Sequence, residues 1–408
     1  MVNRKLTGLF LLIMAMMAVS LFSCAKKGDL LTSPGAAATP TPGGTVPTPT
    51  PSGPAYFKHF GGASFETAKG AARVADGYVI TGYSNSFGNG NQDMYIVKTG
   101  LNGDLLWQKV FGGIYNDQCY SIRPTLDGNL IVCGSSDISA TAYSGDSVLE
   151  LAKFDTSGNI LWDRKFSAPG TYASGITVEQ ALDGGYVGAG YCDNSPYGYL
   201  VKVDAAGNTV WINNIMSNFS SYDGLAATVD GGYISSHGET LVKLDASGNT
   251  VWNQYYGDYS AWESTVRVTA DAGYLLSGTN YSYAAGGNYD FFAIKADASG
   301  NCQWAKTWDF TGLGSQDNLY HGMQDSSGNY IFTGNSDNAV AVLKTDSAGN
   351  MIWFKKYGPG ANMVQDSGAY IMESADNKYI ITGTTFSGGS FGDYFIMKVD
   401  PATGDKIW

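Results

Sequence analysis

Between residues 55 and 408 the apolar residues fall in short runs, not in helical stripes. "YVITG" (Tyr78–Gly82), "LIVCG" (Leu130–Gly134), "YVGAG" (Tyr186–Gly190), "YLLSG" (Tyr274–Gly278), "YIFTG" (Tyr330–Gly334) and "YIITG" (Tyr379–Gly383) are one pattern written six times. Their β-branched and aromatic content favours sheet, and the run length suits a strand buried on both faces. Polar turns such as "LDGN" and "TSGN" separate the runs, and Asp-Gly and Gly-Asn are hairpin chemistry because Gly and Asn tolerate positive φ. No segment beyond the first 24 residues carries a 3.6-residue apolar period.

A longer period lies above the strands. "DAAGNTVW" (Asp204–Trp211) and "DASGNTVW" (Asp245–Trp252) recur as "GLNGDLLW", "DTSGNILW", "DASGNCQW", "DSAGNMIW" and a one-residue-longer "DPATGDKIW". The repeated tryptophans are Trp107, Trp162, Trp211, Trp252, Trp304, Trp353 and Trp408, and Tyr56 stands at an eighth, degenerate position. The interval averages about 50 residues, which fits one propeller blade. Each interval reads as four strands. In the second, "QCYSIRPT" is strand A, "LIVCGS" strand B, "SVLELAKFD" strand C and "ILWDRKF" strand D. The expectation is an all-β, seven-bladed propeller of four-stranded antiparallel blades. "DKIW" at the end of the chain supplies the first half of a strand D, and "YFKHF" near residue 58 supplies the second half. Together they would close the ring and leave no free blade edge.

The unit D-x-x-G-N-x-x-W…D-G-G-Y…D-x-[YF]-x-[IV]-K resembles the bacterial β-propeller repeat family of secreted and surface proteins. Its hairpin is also similar to the tryptophan-docking motif of quinoprotein propellers. Those enzymes typically have eight blades, a vicinal cysteine pair and a calcium-quinone site. Here there are seven blades and no vicinal pair, so the resemblance implies a scaffold and not dehydrogenase chemistry. The tryptophans are expected to wedge between neighbouring blades, each burying on the order of 200 Å².

The first 54 residues are of another kind. Arg4 and Lys5 precede an apolar run, Leu9–Val19, too short to span a bilayer. "LFSC" ending at Cys24 resembles a bacterial lipobox, so residues 1–23 read as a lipoprotein signal peptide and Cys24 as the lipidated residue. The membrane is then a partner through the N-terminal lipid. By family analogy, Ala25 after the cysteine favours the outer membrane, on its periplasmic or its outer side. Residues 24–54 form a linker: Gly28–Pro54 holds seven of the twelve prolines among Thr, Gly and Ala, a composition that stays extended. Formal charge is −12, which argues against nucleic acid. Cys119, Cys133, Cys192 and Cys302 lack metal or redox spacing. Cys119 and Cys133 flank one hairpin and could pair or remain two buried thiols.

Candidate chemistry follows from what the repeat contains and what departs from it. Strand C carries Lys98, Lys153, Lys202, Lys243, Lys295, Lys344 and Lys398, and all but Lys98 have an Asp two residues on, on the same strand face. Pairing at the blade edge is expected. An acid precedes strand A in six blades: Glu66, Asp117, Asp223, Glu263, Asp317 and Asp366. Either each caps its own loop, or together they ring one mouth of the channel and draw a cation such as calcium. No other cofactor is expected.

Alternating strand direction puts the short A–B and C–D turns on one face and the longer B–C and D–A connections on the other. The second is the candidate binding face. Its aromatics are densest in blade five: Tyr259, Trp262, Tyr281, Tyr283 and Tyr289 suit sugar stacking or protein contact, or pack on one another within the loops. Blade four, "YISSHGETLVK", has almost no B–C connection. His59, His237 and His321 lie in separate blades, and no nucleophile elbow, HExxH or phosphate loop is present. Acidic pairs leave room for a carboxylate-only hydrolase or lyase. The leading expectation is a monomeric, non-enzymatic binding scaffold for envelope protein or polysaccharide. A glycan-active or quinone-type enzyme and a periplasmic assembly factor for outer-membrane proteins are the alternatives.

Overall fold

The computed structural model describes residues 57–138, 147–167, 173–192, 198–215, 224–257, 261–281, 289–310, 316–358, 366–386 and 391–408. Cys24, Tyr259, Tyr283 and Asp223 lie outside them, as do the side chains of Trp262 and Glu263. The described chain folds as seven four-stranded antiparallel sheets, each running A-B-C-D in chain order except the last. The blades span residues 66–111, 117–166, 173–215, 225–255, 261–308, 317–357 and 367–399.

Blade seven takes its fourth strand from both ends of this fold. Lys58, His59 and Phe60 pair antiparallel with Ile396, Phe395 and Tyr394. The tail completes the same edge, with Ile407 N–H donating to Lys398 C=O and Lys398 N–H donating to Trp408 C=O. In blade one Lys98 stands opposite Trp107 and Ile96 opposite Lys109. Trp408 and Lys58 therefore occupy the places of Trp107 and Lys109, and the two segments together make one strand D.

The core is divided. Seven separate clusters of buried apolar residues lie between adjacent blades, one per junction. Strands B and C are consequently buried on both faces, as Leu130–Ser136 and Ser147–Phe154 show. Each repeated tryptophan lies against the C–D turn of the following blade. A Cβ on Gly103, Gly158, Gly207, Gly248, Gly300, Gly349 or Gly404 would come within 2.5–3.2 Å of Trp408, Trp107, Trp162, Trp211, Trp252, Trp304 or Trp353 respectively. Several indoles also meet the next blade's strand-B tyrosine, such as Trp162 on Tyr186 and Trp304 on Tyr330. Trp162, Trp304 and Trp353 donate Nε1–H to a backbone carbonyl of that next turn.

The strand-C lysines are paired, but not with the aspartate two residues on. Lys98, Lys153, Lys202, Lys243, Lys295 and Lys398 reach Asp76, Asp127, Asp183, Asp230, Asp271 and Asp376 of their own A–B turns at 2.5–2.9 Å. Lys344 lies 3.6 Å from Asp325. The i+2 aspartate is already committed. Asp204 Oδ1 accepts from the backbone N–H of Ala206 and Asn208, and Asp245 does the same with Ser247 and Asn249. An Asx turn outcompetes a salt bridge at that site because it satisfies two amides with no lysine rotamer to fix. Cys119 and Cys133 are free buried thiols, as is Cys192, while Cys302 is exposed.

The tryptophan contact can be tested with two glycines of the same φ. Gly184 and Gly207 both sit at +83°, but a Cβ on Gly184 meets nothing within 4 Å, whereas one on Gly207 meets Trp162. Gly184→Ala should cost roughly 1–2 kcal/mol, the left-handed penalty alone. Gly207→Ala should add a packing cost of about 1–3 kcal/mol. Thermal melts showing equal midpoints for the two variants would refute the indole contact.

Candidate functional site

Four of the six strand-A acids lie within the described residues. Glu66, Asp117, Asp317 and Asp366 are all buried at the start of strand A. Each is bound by its own blade's loops. Glu66 accepts from Gly62 N–H (2.8 Å) and Ser84 Oγ–H (2.7 Å). Asp117 accepts from Gly113 N–H at 2.6 Å and from Ser136. Asp366 accepts from Thr385 Oγ–H and Phe386 N–H, at 2.9 and 2.8 Å. Asp317 accepts from Phe310 N–H at 3.1 Å. At Glu66 and Asp117 the carboxylate thus ties the D–A loop, the start of strand A and the end of strand B into one knot. Burial pushes all four pKa values up, against hydrogen bonds that pull them down.

A second row of acids approaches from the preceding blade. Asp93, Asp290 and Asp393 open strand C of blades one, five and seven. Asp393 and Glu66 meet over Gly61, and Asp93 and Asp117 meet over Gly112, so closely that neither glycine has room for a Cβ. The first glycine of the Gly-Gly that follows strand D is explained by this crowding. His59 Nδ1 lies 3.0 Å from Asp393 Oδ2 and partners it at the blade 7–1 junction. In blade two Glu150 is buried beside Ser136, with Lys165 at 3.4 Å, and burial and then Asp163 push its pKa up.

The channel is lined by residues that sequence reasoning missed. Strand A carries a bulge in six blades, for example between Ala68 and Gly70, Cys119 and Ser121, and Leu319 and His321. The extra residue breaks the two-residue alternation and re-aims the side chains that follow. A small cavity is lined by Lys69, Tyr120, Arg123, Tyr320, His321 and Tyr370, among others. His321 stacks on Tyr370 at 3.9 Å, Arg267 approaches His321 Nε2 at 2.7 Å, and Arg123 pairs with Glu179 at 2.8 Å. An acidic protein therefore has a basic, aromatic axis. The signal was a register shift, which no two-residue period shows.

On the loop face Tyr281 and Tyr289 pack together at 5.3 Å with Tyr281 exposed. A second aromatic cluster lies at the blade 7–1 junction, where exposed Phe65 meets Phe391 at 5.1 Å and Phe386 at 6.1 Å. Two blades have minimal B–C connections. Blade four turns at Gly238–Glu239, and blade six turns at Asp337–Asn338 with φ of 47° and 63°. The second escaped sequence reasoning, although Asp-Asn at two positive φ angles is hairpin chemistry. On the opposite face the turn residues Leu126, Leu182 and Val229 of three successive blades are 86%, 67% and 75% exposed.

No protein-family model and no curated protein matches the chain. Solved structures share its architecture. A chain of the mitotic checkpoint complex aligns with a TM-score of 0.51 at 13% identity over 87% of this chain and 97% of that one. Sqt1 from Chaetomium thermophilum aligns at 0.50 and 12% identity over 86% of each chain. A protein of unknown function from Bacteroides caccae aligns at 0.46 and 11% over 69% of this chain and 94% of that chain. At such identities the likeness is one of fold alone.

The buried acids predict a pH dependence. Burial first, then Asp117, raise Asp93 to about 6. A carboxyl raised on folding stabilises the fold fully below its unfolded pKa of 3.8, and the contribution is lost as pH rises through about 6. Asp230 and Asp271, lowered to about 2 by turn hydroxyls and lysines, act in the opposite sense and fail only in stronger acid. In chelator-containing buffer the melting midpoint should rise by roughly 3 °C or more from pH 7.5 to pH 5. Asp93→Asn should flatten part of that rise, and a midpoint that falls over this interval would contradict the burial.

Proposed function

We propose that this protein is a lipid-anchored, extracytoplasmic binding scaffold of the bacterial envelope. The lipobox-like Cys24 and the proline-rich linker support the anchor and the reach. The propeller acts without catalysis and takes protein or glycan on the face of the B–C and D–A connections. The observation that carries this reading is the pair of exposed aromatic clusters there, Tyr281 with Tyr289 and Phe65 with Phe391. Exposed rings on a rigid scaffold give large contact area at low entropic cost.

Tyr281→Ala, and separately Phe65→Ala with Phe391→Ala, should reduce retention on envelope polysaccharide or protein by about tenfold or more, as loss of a binding hot spot does. The melting midpoint should move little, since these rings are exposed. Binding isotherms unchanged in both variants would overturn the choice of face.

One observation favours the assembly-factor alternative: the exposed Leu126, Leu182 and Val229 line successive turns on the other face. Contiguous exposed apolar groups mark protein partners more than glycans. Leu126→Ser with Leu182→Ser distinguishes the two. Loss of a protein partner in that variant, with the aromatic variants silent, moves the function to the short-turn face.

A further inference from the structure

The blade 5–6 junction differs from the blade 7–1 and 1–2 junctions at one position. At the corresponding position after strand D, Gly61 and Gly112 are forced, because two carboxylates fill the space of a Cβ. Blade five has Asp309 there, between Trp308 and Phe310. Asp290 from strand C and Asp317 from the next strand A are the two carboxylates already present. The three offer oxygens that all lie within 4.8 Å of one another, the one such group among the described residues. Where the blade 7–1 and 1–2 junctions keep two acids and exclude a side chain, this one gathers a third acid.

The site is also incomplete without a ligand. Asp317 is fully buried, and its Oδ1 has no hydrogen-bond partner. Glu66, Asp117 and Asp366 each take a hydroxyl from the end of strand B. Ser336 holds the same register opposite Asp317 and still pulls its pKa down, but its Oγ makes no close hydrogen bond like those of the other three. Asp290 is buried and has no hydrogen-bond donor among the described residues, and burial, then Asp309 and Asp317, push it up to about 6. An orphaned buried carboxylate oxygen costs free energy unless something charged meets it.

The surrounding frame is rigid. Phe310 stacks on Phe354 at 3.6 Å and meets Phe291 at 5.3 Å, while its N–H holds Asp317 Oδ2. Trp308 packs on Phe332. Asp309 is thereby fixed from both sides, and its exposure leaves an entry path. Lys356, the cation that acts on Asp317, is bound to Asp337 at 2.7 Å.

We propose that Asp290, Asp309 and Asp317 form a calcium-class divalent cation site between blades five and six. Three carboxylates supply hard oxygen donors, and opposed oxygens on calcium lie up to about 5 Å apart, against about 4 Å on magnesium. The ion neutralises charge that the junction otherwise buries. It also pins the base of the connection carrying Tyr281 and Tyr289, because Tyr289 adjoins Asp290 and its carbonyl accepts Asp317 N–H at 2.8 Å. The proposal stands on the junction's own residues and needs no ligand on the loop face.

The test uses the purified full-length chain, stripped with EDTA and titrated with CaCl2 by calorimetry and by thermal melting. Wild type should bind one calcium, and at a hundred times the dissociation constant its folding equilibrium should shift by about a hundredfold. Asp309→Gly, which installs the residue of the blade 7–1 and 1–2 junctions, should fold in EDTA at least as well as wild type. Its affinity should be at least about tenfold weaker, as should that of Asp290→Asn. Failure of wild type to bind calcium, or an unchanged calcium shift in folded Asp309→Gly, would overturn the site. Both measurements read the metal directly, so they stand or fall apart from any loss of glycan or protein binding.

Discussion

Everything in this molecule depends on one contact, the indole of one blade seated on the turn glycine of the next. A four-stranded blade has two apolar faces and cannot bury either alone. Two neighbours must therefore be held at one rotation. The tryptophan sets that rotation because its ring is flat, large and closely seated on a turn without a Cβ. Where its N–H meets a backbone carbonyl, one direction is fixed as well, as with Trp162 and Ala205. Positive φ at Gly207 and its equivalents follows from the turn, and the absent side chain follows from the ring. The seventh contact is of the same kind as the other six: Trp408 lies on Gly103 and joins residues far apart in sequence. Ring closure thus adds only the split strand D to the contact that every other junction makes.

This explains what could be read from the sequence. Tryptophan, glycine and the strand-B runs recur because every blade solves the same problem, and a fixed period makes them visible. Blade number, strand order and the split strand D all follow from that period. What was not legible depends on register or on space. The lysine partners were assigned to the aspartate nearest in sequence, yet Asp204 and Asp245 are consumed by their own turns. The channel residues were hidden because a bulge at Lys69, Tyr120 and Tyr320 changes which parity faces inward. The acids were visible as residues, but neither their burial nor their partners from the preceding strand C were.

The charge distribution follows the same logic. Carboxylates are spent at two sites, on exposed A–B and C–D turns and inside the blade junctions. The turn carboxylates cost little, because water and lysine ammonium groups surround them. The junction carboxylates are held against desolvation by amide and hydroxyl donors that converge from three segments. Among the cations not used at the turns, Lys165 joins the blade-two acids, and Arg123 and Arg267 lie on the axis among Tyr370, His321 and Glu179. A net charge of −12 over the whole chain thus coexists with basic side chains on the axis.

Departures from the repeat converge on blade five. Its neighbours, blades four and six, cross from strand B to strand C in two residues, whereas blade five takes the longer route between Asn280 and Asp290. Of this connection the two end tyrosines, Tyr281 and Tyr289, are described, and they pack on each other. Next to them in the chain, Asn280 reaches Glu239 of blade four, and Asp290 meets the acids of the blade 5–6 junction. Both are buried polar contacts that tie the ends of this one connection to the blades beside it. A fold made of identical parts has nowhere to place a distinct site except where parts differ. Here the altered glycine, the orphaned carboxylate oxygen and the long connection with its tyrosines all fall at one junction.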